Sequence, residues 1–106
     1  MSFTAALNRQ GTTAIIALEG DLDATTVAAF REKVEHATQE ETTTLVLEMT
    51  KLAYISSAGL RGLVFARQKM AESVDVVLVG ANADVEKTIR LVGFHHSVTF
   101  SDRIPE

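Results

Sequence analysis

The stretch Tyr54-Ile55-Ser56-Ser57-Ala58-Gly59-Leu60-Arg61-Gly62-Leu63 sets two hydroxyls and a glycine between an apolar, strand-like run and a helix-like run. A serine at a helix start serves two kinds of chemistry with one geometry. Its oxygen accepts hydrogen bonds from free backbone N–H groups of the first turn, and the partial positive charge at that end favours an anion on the same oxygen. Ser56 or Ser57 is therefore either a helix cap or a phosphate acceptor, and these ten residues leave both readings open.

Other chemistries fit less well. Ser57-Ala58-Gly59 matches the second half of a G-x-S-x-G nucleophile elbow, and Asp84 and then His95 or His96 follow in serine, acid, histidine order. Ile55 stands where the first glycine belongs, the chain is short for such a fold, and no second loop offers an oxyanion hole, so nucleophilic catalysis is not expected. Asp21 and Asp23 lack a third acidic residue at fixed spacing and read as dipole partners of a helix start, with no magnesium site. His95 and His96 are adjacent, a spacing that turns side chains apart on a helix or a strand, so a turn or solvated edge is expected in place of a metal pair. Without cysteine or a glycine-rich phosphate loop, neither metal nor tightly bound cofactor is expected.

The rest of the chain must position the serines. A length of 106 residues, 46% of them hydrophobic, suits one domain spanning residues 1–106. A formal net charge of -4 argues against nucleic acid or an anionic membrane as a partner. No apolar run is long enough to span a bilayer, and the start Met-Ser-Phe-Thr lacks the profile of an export signal, so a cytoplasmic monomer or weak dimer is expected.

Phe3 to Leu7 and Thr13 to Leu18 lean towards strand around the polar Asn8-Arg9-Gln10-Gly11, which reads as the turn of an opening hairpin. After Gly20-Asp21-Leu22-Asp23, the residues Val27, Phe30, Val34 and Ala37 recur at helical spacing, with Asp23 as the expected cap. Thr44 to Met49 reads as a central strand buried on both faces. Leu60, Leu63, Val64, Met70 and Ala71 then keep a helical stripe to about Glu72, with the Arg67 stem buried and its head exposed.

Val76-Val77-Leu78-Val79 before Gly80 has the aliphatic composition of a doubly covered parallel strand. Asn82 or Asp84 caps a third helix carrying Val85, Ile89 and Val92, Gly93 ends it in left-handed conformation, and Val98 and Phe100 suggest a last strand. Strands alternating with helices give an α/β fold, a mostly parallel mixed sheet of about five strands with crossover helices and an N-terminal hairpin. Asp21-Leu22-Asp23 and Ser56-Ser57 both follow predicted strands, so the two polar loops are expected on one face.

Leu18-Glu19-Gly20-Asp21-Leu22-Asp23 followed by a helix, then Leu45 to Met49, then Tyr54-Ile55-Ser56-Ser57-Ala58-Gly59-Leu60, and finally Gly93-Phe94 resemble a STAS domain of the bacterial anti-sigma-factor antagonist type, over nearly the whole chain. The resemblance implies a serine phosphorylated by a partner that is both anti-sigma factor and serine kinase, and restored by a PP2C-type phosphatase. In its unphosphorylated form such a protein sequesters the partner and frees a sigma factor. The acceptor position, two before the glycine, is Ser57, with Ser56 as the less favoured alternative. Asp21, Asp23, Ser56, Ser57, Ala58, Gly59 and Arg61 fall where the partner surface is expected. The sequence departs from the family pattern twice. Ser56 holds the place of an aspartate and adds a second hydroxyl, and Ser101 to Glu106 has room for at most a turn where members commonly carry a further helix. A constitutive STAS accessory subunit or ligand sensor of a transport or signalling assembly is the alternative role.

Overall fold

The alternation of exposed and half-buried side chains over Thr4–Gln10 makes an edge strand, β1, which pairs antiparallel with β2 (Thr13–Leu22) in a computed structural model that describes residues 3–105. The remaining elements are α1 (Val27–Ala37), β3 (Thr44–Ile55), α2 (Ser57–Lys69), β4 (Asp75–Val79), α3 (Ala83–Leu91), a 3-10 turn (Phe94–His96) and β5 (Thr99–Ser101). Strand order is β1-β2-β3-β4-β5, with every pair after the hairpin parallel, which is the α/β architecture expected.

Because the strand order never reverses, right-handed crossovers bring all three helices to the same side of the sheet. There Phe30 and Val34 of α1, Leu63 of α2 and Ile89 of α3 meet Ile16, Leu47 and Leu78 in one continuous core, all fully buried. The opposite face carries a narrow strip of Ile15, Val46, Val77 and Val79, with Ile104 of the tail packed against it. The middle strand is buried on both faces as expected, but only one face is covered by helices. Among the described residues the chain after β5 forms no helix.

Several boundaries differ from the sequence reading. Asn8, Arg9 and Gln10 belong to β1, and the hairpin turns on Gly11 and Thr12 alone. Arg9 explains the polar run: its guanidinium donates to the Ala37, Glu40 and Glu41 carbonyls (3.0, 3.1 and 3.3 Å) and to Thr42 Oγ1 (2.6 Å), closing the end of α1 and its passage into β3. The third strand continues past Met49 to Ile55, since Leu52 and Ile55 remain buried opposite the end of β2. Helix α2 stops at Lys69, and the Arg67 head is tied into the next turn by bonds to the Val74 and Ala71 carbonyls (2.8 and 2.6 Å).

The buried stripe of α2 is shifted by one residue from the large apolar side chains. Gly59, Gly62, Leu63, Ala66 and Met70 face inward, whereas Val64 and Ala71 face solvent. The cause is close packing: a Cβ on Gly59 would stand 2.4 Å from the Leu22 carbonyl oxygen, and one on Gly62 would stand 2.6 Å from Val27 Cγ2. The Gly62→Ala variant gains helix propensity but overpacks the α1–α2 contact, for a net loss of about 1–2 kcal/mol in urea denaturation. Val27→Ala in the same chain restores part of that loss, a coupling measured by a double-mutant cycle.

Candidate docking and modification site

The end of β2 and the start of α2 are joined through the backbone. Strand pairing sets Asp21 beside Tyr54 and Leu22 beside Ile55, and the Ser56 N–H donates to the Leu22 carbonyl at 3.0 Å. The two polar loops therefore lie side by side at the C-terminal ends of β2 and β3. Gly59 seats the first turn of α2 directly on the Leu22 carbonyl, which admits no side chain there.

Of the two serines, Ser56 is the N-cap. Its backbone is extended (φ -95°, ψ 178°) and its Oγ accepts from the Gly59 N–H at 3.2 Å, while its carbonyl accepts from Leu60 N–H at 2.9 Å. Ser57 is the first helical residue and is exposed, whereas Ser56 is half-buried. Among the described residues the Ser57 and Ala58 amides, in the first helical turn, donate to no other group. Among the described residues no side-chain hydrogen bond joins Ser57 to Asp84, His95 or His96, and His95 Nδ1 is buried without a partner.

Asp23 does not cap α1 directly, contrary to the sequence reading. Thr26 occupies the cap position without a side-chain cap bond, because Asp23 instead closes the turn before the helix. The Asp23 carboxylate accepts from Thr25 N–H (2.9 Å) and Thr25 Oγ1 (2.7 Å), and its carbonyl accepts from Val27 N–H (2.9 Å). The Thr25 hydroxyl, then the Thr25 amide, hold the Asp23 carboxyl below the usual carboxylate range. Thr26 Oγ1 donates to the Asp21 carbonyl at 2.8 Å and accepts from Asp23 N–H at 2.9 Å, so the Asp21-Leu22-Asp23 turn is held as a unit.

Helix α3 is capped by Asn82, whose Oδ1 accepts from Val85 N–H at 2.8 Å and whose Nδ2 donates to the Leu52 carbonyl at 3.1 Å; Asp84 sits in its first turn. Gly93 has φ +79°, the left-handed ending expected, but Val92 is the C-cap and is exposed, outside the buried stripe assigned to it. Ser57, Leu60, Arg61 and Val64 face Val92, Gly93, Phe94 and Ser97 across an open groove of about 460 Å³. Sequence reasoning missed this groove because Val64 and Val92, at helical spacing, read as core; Tyr54 and Leu91, also exposed, line a second groove.

His95 and His96 lie in the 3-10 turn with ring centroids 4.0 Å apart, closer than the spacing rule for helices and strands allows. Burial first, then the nearby His96 and Arg90, push the His95 imidazole below its ordinary range. The unfolded chain then binds the extra proton first, so the contribution of His95 to stability is complete above about pH 6.5 and is lost as pH falls towards the folded-state value. Asp23 acts in the same direction at lower pH: its contribution is present above the unfolded carboxyl value and lost as pH falls through the depressed one. His95→Gln should reduce the loss of urea midpoint between pH 7.5 and pH 5.5, and in NMR titration Thr25→Val should raise the Asp23 carboxyl towards the ordinary range.

With this geometry in hand, the class is defined: the chain belongs to the STAS domain family, whose profile matches residues 4–106. The chain is homologous to the anti-sigma-F factor antagonist RsfB of Mycobacterium tuberculosis, 26% identical over 80 residues that cover 76% of this chain and 66%, just under two thirds, of the relative. Its fold is that of an anti-sigma factor antagonist from Mycobacterium paratuberculosis, with TM-score 0.87, 17% identity, and coverage of 97% of this chain and 88% of that one. It is likewise that of the Bacillus cell fate determinant SpoIIAA in its phosphorylated form, with TM-score 0.71, 20% identity, and coverage of 96% and 93%. No helix among the described residues is long and apolar enough to cross a membrane.

Proposed function

We propose that the chain is an anti-sigma-factor antagonist that works by partner switching: unphosphorylated, it sequesters an anti-sigma factor with serine kinase activity and so releases a sigma factor, and phosphorylation of Ser57 ends that binding. A PP2C-type phosphatase resets it. The observation that carries the residue assignment is the division of labour between the serines. Ser56 Oγ is engaged as the cap, whereas Ser57 is exposed at the first helical position, where its own amide and that of Ala58 have no partner among the described residues. Family membership and the homology to an anti-sigma-F factor antagonist support the general role.

Phosphate at Ser57 adds about -1.5 to -2 charge at a position where the helix dipole and free N–H groups favour it, so the free protein need not refold. The structural neighbour SpoIIAA is known in unphosphorylated and phosphorylated forms that match this fold with TM-scores of 0.73 and 0.71. Arg61, exposed and lining the same groove, pairs with the phosphate and is thereby withdrawn from a partner. Opposed to a surface that excludes water, the added charge needs to cost only about 3 kcal/mol to weaken binding roughly a hundredfold. Asp21 and Asp23, beside Ser56, Ala58 and Gly59, supply the acidic part of the contact for a basic patch on the kinase.

Incubation with the host's serine kinases, followed by mass spectrometry, tests the assignment. Phosphate is expected on Ser57 and on the Ser56→Ala protein, which loses about 1 kcal/mol with its cap. Ser57→Ala binds the kinase permanently and Ser57→Asp binds it poorly. Phosphate on Ser56 would overturn the residue assignment; phosphate on neither would leave the constitutive accessory role. Asp23→Asn keeps the acceptor of the Thr25 turn but loses the charge, so calorimetry should show weaker kinase binding by a protein that stays folded, its unfolding midpoint at pH 7 lowered by the lost charge-assisted part of the Thr25 bonds.

A further inference from the structure

Strand β1 is the outer strand of the sheet on the hairpin side, and half of its backbone has no strand to bond. The hairpin turns on Gly11, at φ +61°, and Thr12, so Gln10 and Thr13 close it as a hydrogen-bonded pair. By the antiparallel alternation Gln10, Asn8, Ala6 and Thr4 direct their N–H and C=O groups to β2, while Ala5, Leu7 and Arg9 direct theirs away from the sheet. Among the described residues no backbone group outside the hairpin bonds to them. Sheet edges are ordinarily blunted by brevity, lysine, proline or a bulge. β1 pairs with β2 without a register shift over its whole length, contains neither lysine nor proline, and ties its one charge, Arg9, to the end of α1 in its own chain. The opposite edge, β5, is only Thr99–Ser101, and the chain turns away from it through bonds between Ser101 and Arg103.

We propose that the β1 edge is an association surface for a second copy of this chain, which pairs antiparallel about a two-fold axis at Leu7 and joins the two sheets into one. Leu7 is the midpoint of Thr4–Gln10, so of all two-fold registers this one alone pairs the strand over its full length. It sets outward backbone groups against outward groups: Leu7 faces Leu7, and Ala5 faces Arg9 of the second copy, each pair exchanging both of its bonds. Ala5 and Leu7, half-buried at the margin of the core, gain cross-strand neighbours on the helix side. On the open side the exposed Thr4 and Ala6 meet Gln10 and Asn8 of the second copy, small or uncharged polar groups without a clash of charge. The nearby charges are balanced at both ends that this pairing brings together. Glu19, at the Thr4 end, has Lys51 beside it in the ladder, and Arg9, at the Gln10 end, has Glu40 at 3.6 Å with Glu41 next in the chain. Helix α1, packed on this part of the sheet, carries Glu32, Lys33 and His36, of both signs. The edge is thus complementary to itself. Ser57 follows β3, an inner strand, so this inference stands apart from the function proposed above. One strand pair covers less than the roughly 1,600 Å² of a standard interface, and a dimer with Kd on the order of 0.1 mM is expected.

Sedimentation equilibrium of the full chain up to about 1 mM tests the proposal. Ala6 and Asn8 face each other across the axis, so Ala6→Lys with Asn8→Lys opposes lysines, and Ala6→Glu with Asn8→Glu opposes glutamates. Each double variant should associate at least about tenfold more weakly than the parent, and an equimolar mixture of the two should recover the parent's association. Recovery also shows that both variants are folded. The chain has no cysteine, so Leu7→Cys adds a single thiol that faces its own copy within disulfide reach; mild oxidation should link it, and should not link Gln10→Cys. A parent that stays monomeric at about 1 mM, charge variants that associate as the parent does, or a mixture no better than its components would each overturn the proposal. Linkage through Gln10→Cys in preference to Leu7→Cys would overturn the register.

Discussion

The seating of α2 by its glycines is the contact on which the rest of the site depends. Gly59 lies on the Leu22 carbonyl and Gly62 on Val27 and Phe30, at distances that leave no room for a Cβ. This approach lets the Ser56 amide bond across to Leu22, which locks the serine turn to the acidic turn. It also rotates the helix so that Leu63, Ala66 and Met70 fill the core while Ser57, Arg61 and Val64 face outward. A side chain at either glycine would push α2 off the sheet and disturb the groove and the cap together.

The unreversed strand order decides what kind of site this fold offers. In doubly wound sheets a crevice opens where the order reverses and neighbouring helices leave on opposite faces, and small ligands bind in it. Here the order has no reversal. The C-terminal ends of β2 and β3 instead carry a broad rim of turns and helix starts, with one open groove between the end of β3 and α3 and another between α2 and the end of α3. A rim of that form suits the surface of another protein better than an enclosed small molecule.

The α/β class, the order of elements, the serine cap and the left-handed Gly93 were legible in the sequence because each is a local signal, set by hydrophobic period or by one residue's backbone preference. What escaped depends on distant neighbours. The inward face of α2 could not be read from Leu60 and Val64, since glycines carry no hydrophobic signal and their role appears only against Leu22 and Val27. Arg9 looked like part of a polar turn until the carbonyls at the end of α1, far away in sequence, became its acceptors. Asp23 has the composition of a helix cap, but Thr25 and Thr26 draw its carboxylate into a turn of their own. The neighbouring histidines meet because a 3-10 turn obeys neither of the two spacings that a helix or a strand would impose.

The sequential sheet also has a kinetic meaning. Every strand pairs with the one made just before it, so no strand must wait for a partner synthesised much later. The β1–β2 hairpin needs only its own residues, and each later strand arrives with the helix that covers it. Folding can therefore follow synthesis from the N-terminus, with the newest strand always at the growing edge and loop-closure cost limited to one crossover at a time. Such a chain exposes little unpaired sheet while it emerges from the ribosome.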